Sequence, residues 1–94
     1  LGATFKEPDS KTKAQFQLSY GMEVKSVSKG KFQEAGIKPG FVIVKINNQA
    51  IRSTDDIESV FDAAINTSDQ FKVLNIAGIY PNGKVTYYAI NLAD

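Results

Sequence analysis

Three features of this chain predict an α+β fold, a partly open β-barrel of five to six strands capped by two helices. The first is the strongly apolar run "FVIVKI" (41–46), which suits a central strand. The second is a pair of β-rich runs, "FKVLNIAGIY" and "KVTYYAINL", on either side of Pro81-Asn82-Gly83, where Asn-Gly is a strong hairpin signal. The third is one amphipathic helix, "RSTDDIESVFDAAI", in which Ile57, Val60, Phe61 and Ala64 recur at spacings of three and four. With 94 residues there is room for one modest core. We therefore read 1–94 as a single domain.

The elements follow in order. Leu1 to Phe5 is extended, and Pro8-Asp9-Ser10 then makes a turn that caps a short helix through Lys13. "GMEVKSV" alternates Met22, Val24 and Val27 imperfectly with polar residues, as a half-buried strand does. Lys29-Gly30 turns the chain into "KFQEAGI", one or two helical turns stopped at Gly36, because glycine most easily takes the left-handed conformation at a helix end. The central strand "FVIVKI" stops at Asn47-Asn48. In the long helix Ser53 or Thr54 supplies the cap, and Asp55 and Asp56 sit where the helix dipole favours negative charge. The hairpin closes the chain.

Composition excludes several kinds of function. Eleven basic and ten acidic side chains leave a net charge of +1, so nucleic acid has no claim on the surface by charge. There is no cysteine and no histidine, which removes disulfides, thiolate nucleophiles, Ser-His-Asp catalysis and most zinc or non-haem iron sites. No cofactor or metal is expected. The longest apolar run is far short of the roughly 20 residues of a membrane span, so no membrane insertion is expected either. The start at Leu1-Gly2, without Met or a leader pattern, is read as that of a domain excised from a larger protein.

"EAGIKPGFVIVKINNQAI" (34–51) places a small-residue helix end, a Pro-Gly turn and an apolar strand in an order that resembles the signature of PDZ domains. The resemblance extends over nearly the whole chain. Its segment order is similar to the bacterial permuted form, in which the peptide-binding strand comes first and the hairpin last. "LGATF", "YGMEVKSV", "FQEAGIKPGFVIVKINNQAIRSTDDIESV" and "NGKVTYYAINL" together resemble the second, C-terminal PDZ domain of an HtrA/Deg-type envelope serine protease. Two positions depart from the family pattern. Phe41 stands where Asp is usual, and Asn48 stands where Gly is usual, though Asn tolerates left-handed geometry.

The resemblance implies a non-catalytic, peptide-binding module that captures apolar C-terminal or extended segments of proteins by strand addition. Leu1, Gly2 and Ala3 would form the carboxylate-binding loop, and Ala3, Thr4 and Phe5 the peptide-binding strand. Leu1, Phe5, Ile57 and Phe61, with Ala3, would form the apolar pocket, and Thr54 and Glu58 its rim. Further partners would be the attached protease and PDZ domains of the parent, in the periplasm or cell envelope of a Gram-negative bacterium. An alternative is an assembly module that makes interdomain or oligomer contacts and binds little peptide.

Blander readings apply to the same residues. Ile57, Val60, Phe61 and Ala64 would line any core-facing helix. Asp55 and Asp56 diverge by about 100° around a helix, which suits the helix terminus better than a metal or acid–base pair. Lys11, Lys13, Lys29 and Lys31 read as solvated surface. Tyr80, Tyr87 and Tyr88 are good strand formers, of which an exposed pair would mark a docking surface.

Overall fold

A computed structural model describes residues 2–66 and 72–92. Leu1, placed above in the carboxylate loop and the pocket, lies outside these residues, as does Phe71, the first residue of the β-rich run that precedes the hairpin turn in the sequence. The elements run β1 (Ala3–Lys6), α1 (Ser10–Gln15), β2 (Met22–Val27), α2 (Lys31–Ala35), β3 (Val42–Ile46), β4 (Gln49–Ala50), α3 (Thr54–Ile65), β5 (Val73–Ile79) and β6 (Val85–Asn91). All neighbouring strands are antiparallel, in one sheet ordered β1-β2-β3-β5-β6 with the two-residue β4 beside β3. The sheet is open, with β1 and β6 at its ends, and β3 is its central strand as expected.

The helices number three among the described residues: the two expected to cap the barrel, and α1, expected as a short capped helix through Lys13, which runs two residues further to Gln15. Asp9 caps it by accepting a 2.8 Å bond from the Thr12 amide, and that bond holds the Asp9 carboxyl below its ordinary range. Lys13 reaches Glu7 at 2.9 Å across the same turn. At α2, Gly36 ends the helix in the left-handed conformation. At α3, Ser53 and not Thr54 is the cap. Its hydroxyl accepts from the Asp56 amide at 3.2 Å while Asp56 accepts from the Arg52 amide at 2.8 Å.

The imperfect alternation of β2 has a local cause. Thr4 faces Ser26 but Phe5 faces Val24, so Lys25 is an extra residue that shifts the period by one. Met22 and Val24 thus face the core before the shift and Val27 packs against it after. The turn after β3 uses Asn47 and Asn48 at φ 50° and 66°, both left-handed, as a two-residue hairpin loop requires. The β5–β6 loop is longer. Tyr80 bonds Lys84, and Pro81, Asn82 and Gly83 span the gap with Gly83 at φ 88°. Proline holds φ near −65°, so it cannot enter the tightest loop, and a three-residue turn with a left-handed Gly results.

The core is drawn from every layer: Val24 of β2, Phe32 of α2, Phe41, Ile43 and Ile46 around β3, Ile51, Ile57 and Val60 around α3, and Leu74, Ile76 and Ile90 of the hairpin. Phe41, at the position where the family pattern has Asp, is fully buried and packs on Tyr80 and Tyr88 with ring centroids 4.7 Å and 5.3 Å away. Gly78 makes room for it. A Cβ there would meet the Val42 carbonyl at 2.2 Å and the Phe41 ring at 2.5 Å, so the site admits no side chain without a shift of backbone.

Candidate functional site

Helix α3 and edge strand β1 stand side by side without touching closely enough to close. Between them lies an open groove of about 540 Å³, where Ala3, Thr4 and Phe5 of β1 face Thr54, Ile57, Glu58, Phe61 and Asp62 of α3. Two periodicities produce it. Residues 54, 57 or 58, and 61 share one face of a helix, while Ala3 and Phe5 share one face of a strand. Ala3 and Phe5 are half-buried and packed against the core, whereas Thr4 and Lys6 are exposed.

The floor of the groove is apolar. Ile57 is 1% exposed and belongs to the core as well as to the groove lining, so the packing and the pocket readings both apply to it. Phe61 is half-buried against the core and is the larger apolar surface that α3 turns toward the groove. On the strand side Phe5 is held from beneath by Phe32, edge to face at 5.7 Å between centroids. Val60, on the same helix, is buried and absent from the lining, so it is core only.

The backbone of β1 offers hydrogen bonds. Its one neighbour in the sheet is β2, and among the described residues no strand pairs with its other edge. A bond between the Thr4 and Ser26 hydroxyls, 2.6 Å long, and an ion pair from Lys6 to Glu23 at 3.5 Å fasten it to β2 from outside. At its start, Gly2 has φ 77° and accepts from the Ser28 amide at 2.7 Å. A Cβ on Gly2 would lie 2.8 Å from the Lys29 carbonyl. The residue is therefore glycine for two reasons, its positive φ and its close approach to the 28–30 turn.

The rim is polar and carries acid. Thr54 and Glu58 stand on it, and so does Asp62, which sequence reasoning passed over although it lies one turn beyond Glu58 on the same face. Arg52, just before α3, sits over the Tyr20 ring at 5.1 Å. Gly2 is not part of the groove lining itself but opens the strand that is.

The tyrosines divide differently from the exposed pair entertained above. Tyr80 and Tyr88 are half-buried, with their hydroxyls bonded to each other and the Lys38 amide donating to Tyr80 at 3.2 Å. Burial first, and then the bond to Tyr80, push the Tyr88 hydroxyl up to about 12. Tyr87, 75% exposed, is alone among them on the outer face of the hairpin, beside Val85 at 56%. With Leu18, Val44, Ala77 and Ile79 these two line a shallow apolar depression.

A family model described as the PDZ domain matches residues 1–74. The chain is 30% identical over 95 residues to a "Probable periplasmic serine endoprotease DegP-like" of Pseudomonas fluorescens, and 33% identical to a protein of the same description from Ectopseudomonas mendocina. Both alignments cover all of this chain but 19% of the relative's length. Among solved structures, the HtrA3 PDZ domain bound to a phage-derived ligand (FGRWV) superposes with a TM-score of 0.72 at 20% identity, covering 97% of this chain and 81% of that one. That likeness is one of fold.

Proposed function

The chain belongs to the PDZ domain family, and on that premise we propose that it captures apolar C-terminal segments of proteins by adding them as a strand to β1. PDZ domains are themselves a standing example of this mode of recognition. One observation carries the reading: the free edge of β1 and the apolar surfaces of Phe5 and Phe61 open into the same groove. The edge supplies main-chain bonds to any sequence, and the pocket selects the side chain. Gly2 and Ala3 begin the strand where a terminal carboxylate would meet main-chain amides, and Leu1 would complete that loop.

PDZ domains are binding modules without catalytic machinery of their own, and this chain holds no histidine for a serine-protease triad. By analogy with the DegP-like relatives named periplasmic serine endoproteases, it serves a protease in the periplasm, delivering substrate to it or regulating it. Affinity in the micromolar range, about −8 kcal/mol, suits a short peptide that must be ordered on binding.

The test is a titration of the isotope-labelled chain with peptides ending in a free apolar residue, and with amidated controls, followed by amide shifts. Shifts at Gly2 to Phe5 and along Ile57 to Phe61 that vanish on amidation support C-terminal capture. No shifts at millimolar peptide would remove it. A second reading, as an assembly module, draws on the outer face with Tyr87 and Val85, which suits a neighbouring domain of a longer protein. Placing Glu at Tyr87 in that longer protein should then lower its oligomeric order in sedimentation, and an unchanged oligomer would discard this reading.

A further inference from the structure

We propose that the groove selects peptides carrying Lys or Arg upstream of the apolar C-terminal residue, with Glu58 and Asp62 as the specificity-determining side chains. This rests on the capture reading and adds a charge rule to it. Three observations support the rule. Both carboxylates line the groove, and no basic residue does among those described. Helix α3 contains Asp55, Asp56, Glu58 and Asp62 and neither Lys nor Arg, so no cation on the helix offsets them. The cations that flank the two elements are engaged elsewhere: Lys6, at the end of β1, pairs with Glu23, and Arg52, just before α3, lies over Tyr20.

The spacing fits an extended ligand. Glu58 and Asp62 are one turn apart, about 6 Å along the helix axis. Same-face side chains of an added strand recur about every 6.7 Å. Two successive helix-facing positions of the ligand can therefore each meet a carboxylate. Lys29 and Lys31 lie on and just after the turn whose backbone approaches Gly2. The turn beside the start of β1 thus carries basic residues, and the helix wall of the groove carries acidic ones. A chain with its free carboxylate at the first and a cation at the second matches both, and complementarity of this kind sets partner choice more than overall affinity.

Matched fluorescent peptides test the rule: identical apolar free C-termini, with Lys, Ala or Glu at the upstream helix-facing positions, titrated into the 94-residue chain by anisotropy at low and at physiological salt. The Lys peptide should bind about three- to tenfold tighter than the Glu peptide, the range of one or two partly exposed ion pairs, and the ratio should shrink as salt rises. Glu58→Gln with Asp62→Asn should bring the ratio toward one, and Glu58→Lys should invert it. Asp55→Asn, on the same helix but off the groove, should leave it unchanged. Equal binding of all three peptides to the native chain, or a preference that survives the double substitution, overturns the charge rule while leaving C-terminal capture intact. Failure of every peptide to bind overturns capture and the rule together.

Discussion

Two aromatic sites in this small domain have opposite fates. Beside the hairpin turn, Phe41 packs on Tyr80 and Tyr88 over Gly78, and the two tyrosine hydroxyls find partners in each other and, for Tyr80, in the Lys38 amide. Between β1 and α3, Phe5 and Phe61 are backed by the core yet face an opening bordered by a strand edge that has no partner among the described residues. In the first, Phe41 is fully buried beneath the two half-buried tyrosines, whereas in the second both rings stay half-covered. The difference teaches where to look for function in a fold with one core. A closed aromatic cluster contributes stability, whereas an aromatic pair left half-covered beside unpaired backbone is prepared for a ligand that covers both.

The comparison can be broken most forcefully at the closed site. Phe41→Ala should cost about 3–5 kcal/mol in chemical denaturation, because a fully buried ring is replaced by a cavity. The fraction that stays folded should still bind peptide. A loss of affinity equal in proportion to that of groove variants would mean that the two sites are not separable.

Phe61→Ala sharpens the contrast from the other side. Half-buried, it should cost about 1–2 kcal/mol of stability, yet lower affinity for an apolar C-terminus about tenfold or more, as truncation of an aromatic anchor does. Melting and anisotropy on the same protein separate the two effects. Ser53→Ala should be milder, about 1 kcal/mol, through loss of the α3 cap. Because the cap orders the first turn, on which Thr54 stands, a small loss of affinity should accompany it.

The last effect, absent at neutral pH, is an alkaline signature of the closed cluster. Tyr88 titrates at about 12 in the folded chain against about 10 unfolded, so folding favours its protonated form. That contribution is whole below pH 10 and is lost as pH rises from 10 to 12, since the unfolded chain then holds fewer protons. Tyr88→Phe should flatten this part of the stability curve in denaturation series. A curve identical to that of the native chain would show that Tyr88 is not the group responsible.

Most of the elements were legible because each has a local signal. The Asn-Gly turn, the Pro-Gly turn and the three-and-four spacing of α3 all act within a few residues, and each marked its element. α1 was read short by two residues, since Lys13 to Gln15 have no apolar face to announce them and the Asp9 cap alone starts the helix. The groove was legible in a different way. Phe5 and Phe61 lie far apart in the chain, and only a resemblance to a family pairs them beforehand. Asp62 carries no local signal that separates it from other carboxylates on the polar side of α3, although the rim face continues one turn past Glu58.

By itself the sequence determined the strand and helix order, the position of each turn and which helix face is apolar, since these depend on backbone preferences and spacing over short distances. Tertiary structure alone decided which apolar residues were left open. Val60 and Phe61 are adjacent in one stripe, yet one is sealed in the core and the other lines the groove. Tyr87 and Tyr88 are adjacent in one strand, and one is exposed while the other closes on Phe41. Neighbours in a stripe or a strand differ only in direction, and what lies in that direction is supplied by residues distant in the chain.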